Sequence, residues 1–169
     1  KARIVLQGLL AVNLCAAAAW AQVTYSRLLK AAQEPQNWLT YNGDYSGKRH
    51  SALRQFHTDN VQHLALQWVF QSGSTIKFEV TPLVIDGIMY VAGPENRAWA
   101  LDARTGRVIW RYQRRLPEKI ALCCGRINRG LAALGDKLFL ATIDAHVVAL
   151  DSKTGNVIWD VEAEDYRKG

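Results

Sequence analysis

The sequence predicts an all-β fold, a partial β-propeller, because one segment is repeated and the repeat contains turn signals. Residues 100–110 of the 169-residue chain return as residues 149–159, a period of 49 residues. Both copies follow the pattern Ala-Leu-Asp-x-x-Thr-Gly-x-Val-Ile-Trp. A repeat of about 40 to 50 residues that contains four short antiparallel strands is typical of a propeller blade. We therefore predict two to three blades of a larger propeller.

A pair of strands and a hairpin turn precede each copy of the repeat. Residues 83–91 and 133–141 each contain two apolar runs separated by Asp-Gly or Gly-Asp. Such a dipeptide between apolar runs predicts a hairpin, because the turn needs a positive φ. The Thr-Gly turn that follows should hold Gly106 and Gly155 in the left-handed conformation. Each unit is therefore predicted to contain four strands.

The Asp and Trp residues of the repeat are predicted to be structural. Asp102 and Asp151 precede a Thr-Gly pair and are expected to be turn residues, not catalytic acids. Trp110 and Trp159 are expected to pack between blades. Residues 66–70 resemble the end of an earlier, degenerate unit, and we predict a strand over residues 64–70.

The chain is predicted to have three parts. Residues 1–21 begin with positive charge, continue as an apolar run and end in Ala-Trp-Ala, the pattern of a cleaved secretory signal peptide. A membrane anchor is the weaker alternative, because the run is short and is interrupted by Gln7 and Asn13. Residues 22–60 form an N-terminal arm, and residues 61–169 form the incomplete propeller. Export predicts an oxidising compartment for the mature chain.

The N-terminal arm is predicted to hold one short helix. Thr24 can cap a helix from residue 25 to about residue 32, with Val23 and Leu28 spaced as a hydrophobic staple. The rest of the arm is rich in Asn, Gly, Ser and Tyr, and we expect it to be irregular. Trp38 is its predicted anchor on the propeller.

Charge and histidine spacing exclude two classes of function. The net charge is +6, but the basic residues are scattered and form no stripe interleaved with aromatic residues, so we predict no nucleic-acid partner. The histidines lack the spacing of metal ligands, and we predict no metal site within the chain. They are His50, His57, His63 and His146.

Residues 123–130, Cys-Cys-Gly-Arg-Ile-Asn-Arg-Gly, are the motif most suggestive of function. Adjacent Cα atoms lie about 3.8 Å apart, less than the roughly 4.4–6.8 Å of a relaxed disulfide. A bond between these two cysteines would therefore close a strained ring, and such strain is typical of functional sites. Buried free thiols and a redox-sensing dithiol are the alternatives. Buried free thiols are disfavoured because the chain is predicted to be exported and the two cysteines are adjacent. A redox-sensing dithiol is disfavoured because thiol oxidoreductases usually have the spacing Cys-x-x-Cys.

Together with the repeat, this octapeptide resembles the quinoprotein alcohol dehydrogenases. These are periplasmic enzymes of the methanol and ethanol dehydrogenase type, which depend on pyrroloquinoline quinone (PQQ). Residues 37–47 and 78–90 also resemble segments of that family, and the resemblance covers residues 36–169. It implies an eight-bladed propeller, of which this chain would supply the first two to three blades.

The resemblance also implies a set of cofactor-binding residues. Cys123 and Cys124 would form a vicinal disulfide that makes one wall of the PQQ chamber, with Ile127 as an apolar neighbour. Arg129 would contact the cofactor, and Glu79 would hydrogen-bond a PQQ carboxylate. Arg presents a planar fork of donors suited to carboxylates, whereas a Glu beside a carboxylate requires that one of the two hold a proton.

Each of these residues also has an ordinary structural interpretation. Without the resemblance, Glu79 would be taken as a solvated carboxylate and Arg129 as a surface ion-pair partner. We expect Arg126 to have that surface role.

The implied function is the oxidation of the CH–OH group of a small alcohol, with PQQ as cofactor and cytochrome c as electron acceptor. The resemblance places the catalytic Asp and the ligands of a calcium or lanthanide ion beyond residue 169. We therefore expect no catalytic residue in this chain, and we expect the isolated chain to be inactive. The sequence leaves open a haem c domain and membrane association of the complete protein. The alternative is a non-catalytic quinoprotein-like propeller that acts as a periplasmic protein-binding scaffold, for which the Cys-Cys octapeptide has no evident use.

Overall fold

The regular structure consists mainly of two four-stranded antiparallel sheets. The computed structural model describes residues 23–118, 120, 122 and 124–167. The predicted signal peptide, residues 1–21, and Cys123 lie outside the described residues. Within each sheet, strands that are neighbours in the chain are neighbours in space, as in a propeller blade.

The two sheets repeat each other in detail. Sheet 1 contains β1 (Leu83–Ile85), β2 (Ile88–Gly93), β3 (Arg97–Asp102) and β4 (Val108–Gln113). Sheet 2 contains β5 (Ala132–Leu134), β6 (Lys137–Ala141), β7 (His146–Asp151) and β8 (Val157–Glu162). In sheet 1 the register shifts between Ala100 and Leu101, and in sheet 2 it shifts between Ala149 and Leu150, one period later. The sequence repeat is therefore a structural repeat.

The turns have the conformations that the sequence predicts. In the β1–β2 turn, Asp86 has a φ of 51° and Gly87 a φ of 83°. Gly106 and Gly155 have φ values of 70° and 74°, so both adopt the left-handed conformation. Asp102 accepts hydrogen bonds from the backbone of the Thr-Gly turn that follows it, which confirms its structural role.

A tryptophan joins the two sheets. Trp110 on β4 is buried, and its indole lies against Gly155 in the β7–β8 turn. Its Nε1 donates a hydrogen bond of 2.9 Å to the carbonyl oxygen of Ser152. The apolar core continues across this junction, because one buried cluster includes residues of both sheets. Among its members are Leu83, Tyr90, Trp110, Leu131, Leu140 and Leu150.

The prediction of a strand at residues 64–70 is wrong, since this segment has no strand in the structure. A strand needs a hydrogen-bonded neighbour, and no described strand pairs with this segment. Its tryptophan nevertheless behaves like the one on β4. Trp68 lies against Gly106 and donates from Nε1 to the carbonyl oxygen of Ala103, at 3.2 Å. The segment therefore contacts sheet 1 as a degenerate unit would, without strand pairing.

The N-terminal arm contacts both sheets, through a backbone bridge from Val23 to Gly135 and another from Trp38 to Val84. Its α-helix, α1 (Tyr25–Leu29), is capped by Thr24 as predicted, but it ends earlier than expected and gives way to a 3₁₀ turn at Ala31–Gln33. Trp38 exchanges backbone hydrogen bonds with Val84 of β1, so it anchors the arm. A second 3₁₀ turn spans Val61–His63. No helix in the described part of the chain is long and apolar enough to span a membrane.

Candidate functional site

Glu79 and Arg129, far apart in sequence, form an ion pair. Arg129 Nη1 lies 3.3 Å from Glu79 Oε2. The Glu79 side chain is 20% exposed, whereas that of Arg129 is 67% exposed. Glu79 therefore lies at the base of the pair, and the guanidinium remains accessible to a ligand.

Cationic neighbours keep Glu79 ionised. Lys77 forms a second ion pair with Oε1 of Glu79. The Lys77 hydrogen bond, with smaller contributions from the charges of Lys77 and Arg129, lowers the pKa of Glu79 below its ordinary value. The sign follows because both cations favour the carboxylate over the protonated acid.

Backbone contacts hold the segment that contains Glu79 against the segment that contains Arg129. The N–H of Thr81 donates to the carbonyl oxygen of Arg129, at 3.2 Å. Gly130 has a φ of 149°, and a Cβ on it would lie 3.2 Å from the carbonyl oxygen of Thr81 and 3.6 Å from Tyr41. A glycine at this position therefore permits the close approach that brings Arg129 beside Glu79.

The N-terminal arm contributes two residues that sequence reasoning missed. Arg49 Nη2 donates to the hydroxyl of Thr81, at 3.1 Å. The Arg49 guanidinium also lies 5.4 Å from the ring centroid of Tyr41, within the range of a cation–π contact. Tyr41 lies within residues 37–47, which resemble the family, and Arg49 follows that segment, but no spacing indicates a contact of either residue with the segment around Thr81. Only the fold makes these contacts visible.

The structure leaves part of the octapeptide undescribed. Cys124 is exposed and Ile127 is partly buried, while Cys123 is outside the described residues. The vicinal disulfide therefore stays a prediction. Arg126 has the surface role expected of it, since its Nη1 lies 3.2 Å from Oε1 of Glu95.

The donor set of the site suits a polycarboxylate such as PQQ. Lys77 and Arg129 pair with the carboxylate of Glu79, and Arg49 donates to the hydroxyl of Thr81, two residues farther along the chain. Two guanidiniums and a hydroxyl can bind carboxylates by charge-assisted hydrogen bonds, and excess positive charge favours an anionic ligand. The residues present thus fit the cofactor that the sequence suggests.

Other groups in the chain have structural partners. His146 Nδ1 lies 2.7 Å from Oδ1 of Asp160, which is a packing role rather than a ligand set. In the part of the chain that the structure describes, no group of three or more His, Cys, Asp or Glu side chains could hold a metal. A cleft of about 670 Å³ opens between the sheets beside Gly87 and Asp136. It lies at the end of the strands opposite to Glu79.

Sequence comparison assigns most of the chain to one family. Residues 38–158 match the family described as "PQQ: Glucose/ethanol/alcohol dehydrogenase, beta-propeller domain". Quinoprotein alcohol dehydrogenase PedH of Pseudomonas putida is 38% identical over 162 residues, which are 95% of this chain and 27% of the relative. The 1-butanol dehydrogenase (quinone) of Thauera butanivorans is 39% identical over 135 residues, which are 79% of this chain and 22% of the relative. The chain spans about a quarter of the length of these relatives.

Solved structures give the same assignment. A quinohemoprotein alcohol dehydrogenase of Pseudomonas putida superposes with a TM-score of 0.79 at 36% identity, covering 85% of this chain and 21% of that structure. A europium-containing methanol dehydrogenase superposes with a TM-score of 0.78 at 34% identity, covering 83% of this chain and 25% of that structure. The predicted partial β-propeller is confirmed. The chain belongs to the quinoprotein alcohol dehydrogenase family and forms part of its PQQ-type β-propeller domain.

Proposed function

We propose that the complete protein containing this chain is a PQQ-dependent oxidoreductase that acts on the CH–OH group of alcohols. The observation that carries the proposal is the 3.3 Å pair of Glu79 and Arg129, formed by two segments that resemble the cofactor site of the family. Family membership supports the cofactor, and the names of the relatives support alcohols as the substrate class.

In this proposal, Arg129 binds a carboxylate of PQQ through its planar fork of donors. Its exposed side chain leaves the guanidinium accessible for that contact. Glu79 receives a second carboxylate of the cofactor. Lys77 and Arg129 lower the pKa of Glu79 when no ligand is bound. A second carboxylate beside Glu79 would raise that pKa, and a proton shared by the two carboxyl groups would join them by a hydrogen bond. When bound, PQQ accepts the two electrons that the alcohol loses.

The octapeptide supplies a wall of the cofactor chamber in the same proposal. Cys123 and Cys124 would form a vicinal disulfide that lines the chamber, since sulfur packs well on π faces such as that of the quinone. Ile127 adds an apolar contact. Cleavage of residues 1–21 during export places the cysteine pair in the periplasm, where disulfides persist.

The metal and the electron acceptor belong to the same proposal. We expect a calcium or lanthanide ion held by ligands beyond residue 169. The europium-containing methanol dehydrogenase supports a lanthanide as an alternative to calcium. We also propose a cytochrome c as electron acceptor. Among the relatives are a quinohemoprotein and a dehydrogenase subunit, which supports a haem partner, either in the same chain or in a separate one.

The test is an activity assay of the complete protein, reconstituted with PQQ and either Ca²⁺ or a lanthanide. We expect reduction of an artificial electron acceptor with primary alcohols, and loss of that activity when PQQ is omitted. Arg129→Ala should raise the PQQ concentration needed for half-maximal activity by at least about tenfold, since a charge-assisted carboxylate contact contributes roughly 1.5–3 kcal/mol. Arg115→Ala, at an exposed arginine outside the octapeptide, is the matched control. A protein that neither binds PQQ nor oxidises any alcohol would refute the proposal and favour the scaffold alternative.

A further inference from the structure

Asn128 ties the octapeptide to sheet 2. The residue is 9% exposed, and both ends of its amide are used. Its Nδ2 donates to the carbonyl oxygen of Ala141, the last residue of β6, at 2.8 Å. Its Oδ1 accepts from the N–H of Gly130, at 2.9 Å, which closes a turn around Arg129. One side chain therefore shapes the backbone at Arg129 and attaches it to a strand.

Arg126 and Glu95 tie the same octapeptide to sheet 1. The N–H of Glu95, in the β2–β3 turn, donates to the carbonyl oxygen of Arg126 at 3.0 Å. The guanidinium of Arg126 returns a contact of 3.2 Å to the Glu95 carboxylate, which Arg97 also binds, at 3.0 Å. The octapeptide is thus attached on both sides of the junction between the sheets.

These attachments fix the backbone at Arg129 while leaving its side chain exposed. The flanking residues are held by Asn128, and the carbonyl oxygen of Arg129 itself accepts from Thr81. The guanidinium nevertheless remains 67% exposed beside Glu79. A binding group on a fixed backbone loses less conformational freedom on binding, so this arrangement is preorganised for a ligand.

We propose that Asn128 is a positioning residue, which sets the octapeptide in its cofactor-binding conformation with the support of the Glu95–Arg126 pair. The inference rests on the proposed function, because it takes PQQ as the ligand. Removal of the Asn128 amide leaves the Ala141 carbonyl and the Gly130 N–H without their partners. The octapeptide then samples other conformations, and the apparent affinity falls with the fraction that remains competent.

The experiment compares Asn128→Ala with Asn37→Ala in the complete protein. Asn37 is a matched control because it is 8% exposed and also accepts from a backbone N–H, that of Asp86, at 2.9 Å. It lies at the β1–β2 turn, at the other end of the strands from the octapeptide. Two quantities are measured on the cofactor-free protein: the dissociation constant of PQQ by equilibrium titration, and the rate of tryptic cleavage after Arg126 and Arg129.

We expect Asn128→Ala to raise the dissociation constant of PQQ about tenfold and to speed cleavage at the octapeptide, whereas Asn37→Ala changes neither by more than about twofold. Melting temperatures of both variants show how much each loses in overall stability. Equal changes in PQQ affinity for the two variants would overturn the assignment of Asn128. If the wild-type protein binds no PQQ, the proposed function fails, and the cofactor role of Asn128 fails with it. Cleavage rates that still differ would show that the structural attachment remains.

Asn128→Asp separates the two hydrogen bonds of the side chain. A carboxylate can still accept from Gly130, but it cannot donate to Ala141. We expect this variant to lose PQQ affinity as Asn128→Ala does, because the attachment to β6 is lost in both. Wild-type affinity in Asn128→Asp would contradict an attachment role.

Discussion

Trp110 and Trp159 occupy the same position of the same Val-Ile-Trp motif, yet their environments differ. Trp110 is 7% exposed, because its indole lies against Gly155 of the neighbouring sheet. Trp159 is 38% exposed and has its nearest aromatic partner, Phe139, within its own sheet at 5.8 Å. The two strands share the Val-Ile-Trp motif and have matching registers, so the difference comes from what lies beside each sheet.

This difference shows that the motif encodes one half of an interface. The indole is supplied by the last strand of one unit, and the glycine that receives it is supplied by the turn of the next. Trp68 and Gly106 repeat the same contact on the other side of sheet 1. A unit is therefore completed by its neighbour, in accordance with nearest-neighbour stability in repeat proteins.

The largest expected effect on stability comes from replacing the two tryptophans one at a time. Trp110→Ala should lower the free energy of unfolding of the complete protein by about 3–5 kcal/mol, the cost of truncating a buried aromatic residue. Trp159→Ala should cost a similar amount only if another turn covers it in the complete protein. Urea denaturation measures both, with Ile109→Ala at an exposed β4 position as the control. A cost below about 1 kcal/mol for Trp110→Ala would contradict the docking role.

A pair of glycines sharpens the same point. Gly155 and Gly135 both have positive φ, 74° and 63°, but a Cβ on Gly155 would lie 2.6 Å from Trp110, whereas one on Gly135 meets nothing within 4 Å. Gly155→Ala should therefore cost about 3 kcal/mol, from backbone strain plus displacement of the indole.

Gly135→Ala should cost about 1–2 kcal/mol from strain alone. Thermal denaturation of the two variants checks the difference. Equal losses of stability in the two variants would mean that the indole of Trp110 makes room for the methyl group of Gly155→Ala at no energetic cost.

The parts of the fold that were predicted correctly depend on local sequence. Asp86-Gly87 favours a tight turn whatever surrounds it. Gly106 and Gly155 adopt a positive φ at no steric cost, because glycine has no Cβ. The strand predicted at residues 64–70 was wrong because pairing depends on a neighbouring strand, which the segment's own sequence does not specify.

The site shows the same division. Glu79 and Arg129 were identified by motif resemblance, and the fold brings them together. Sequence reasoning missed the roles of Tyr41 and Arg49 and the contacts that attach the octapeptide to each sheet. Each of these depends on a contact between segments that are distant in sequence. No periodicity or spacing records such contacts.

Asn96 marks a further difference between the two sheets. It has a φ of 56°, and Ala145, one period later, has a φ of 58°. Asn96 is fully buried and bridges to sheet 2, donating to Asp144 at 2.7 Å and accepting from the N–H of Ile143 at 2.9 Å.

Asn96→Ala should therefore cost about 2 kcal/mol through buried groups left unpaired, since Ala145 shows that alanine can adopt this backbone conformation. Ala145→Gly, which removes a methyl group and relieves the strain of a positive φ, is the control and should stabilise the protein by up to about 1–2 kcal/mol, the strain expected for Gly135→Ala with the opposite sign. Chemical denaturation distinguishes them, and a neutral Asn96→Ala would contradict the bridge.

Asp144 gives the smallest expected effect, a pH dependence. Its burial would raise its pKa, but hydrogen bonds from Arg114 and Thr142 outweigh burial and hold the pKa below its ordinary value. A carboxyl with a lowered folded pKa stabilises the protein above its unfolded pKa of about 3.9, and that stability is lost as the pH falls through the folded value. The stability difference between wild type and Asp144→Asn should therefore shrink from pH 7 toward pH 3. A difference that does not vary with pH would contradict this assignment.

The central claim is that Glu79 and Arg129 form the part of the cofactor site that this chain contributes. The most direct measurement is a crystal structure of the complete protein with PQQ bound. We predict that Arg129 lies within hydrogen-bonding distance of one PQQ carboxylate and that Glu79 lies beside another. A structure in which PQQ binds elsewhere, while Arg129 contacts only Glu79, would contradict the claim.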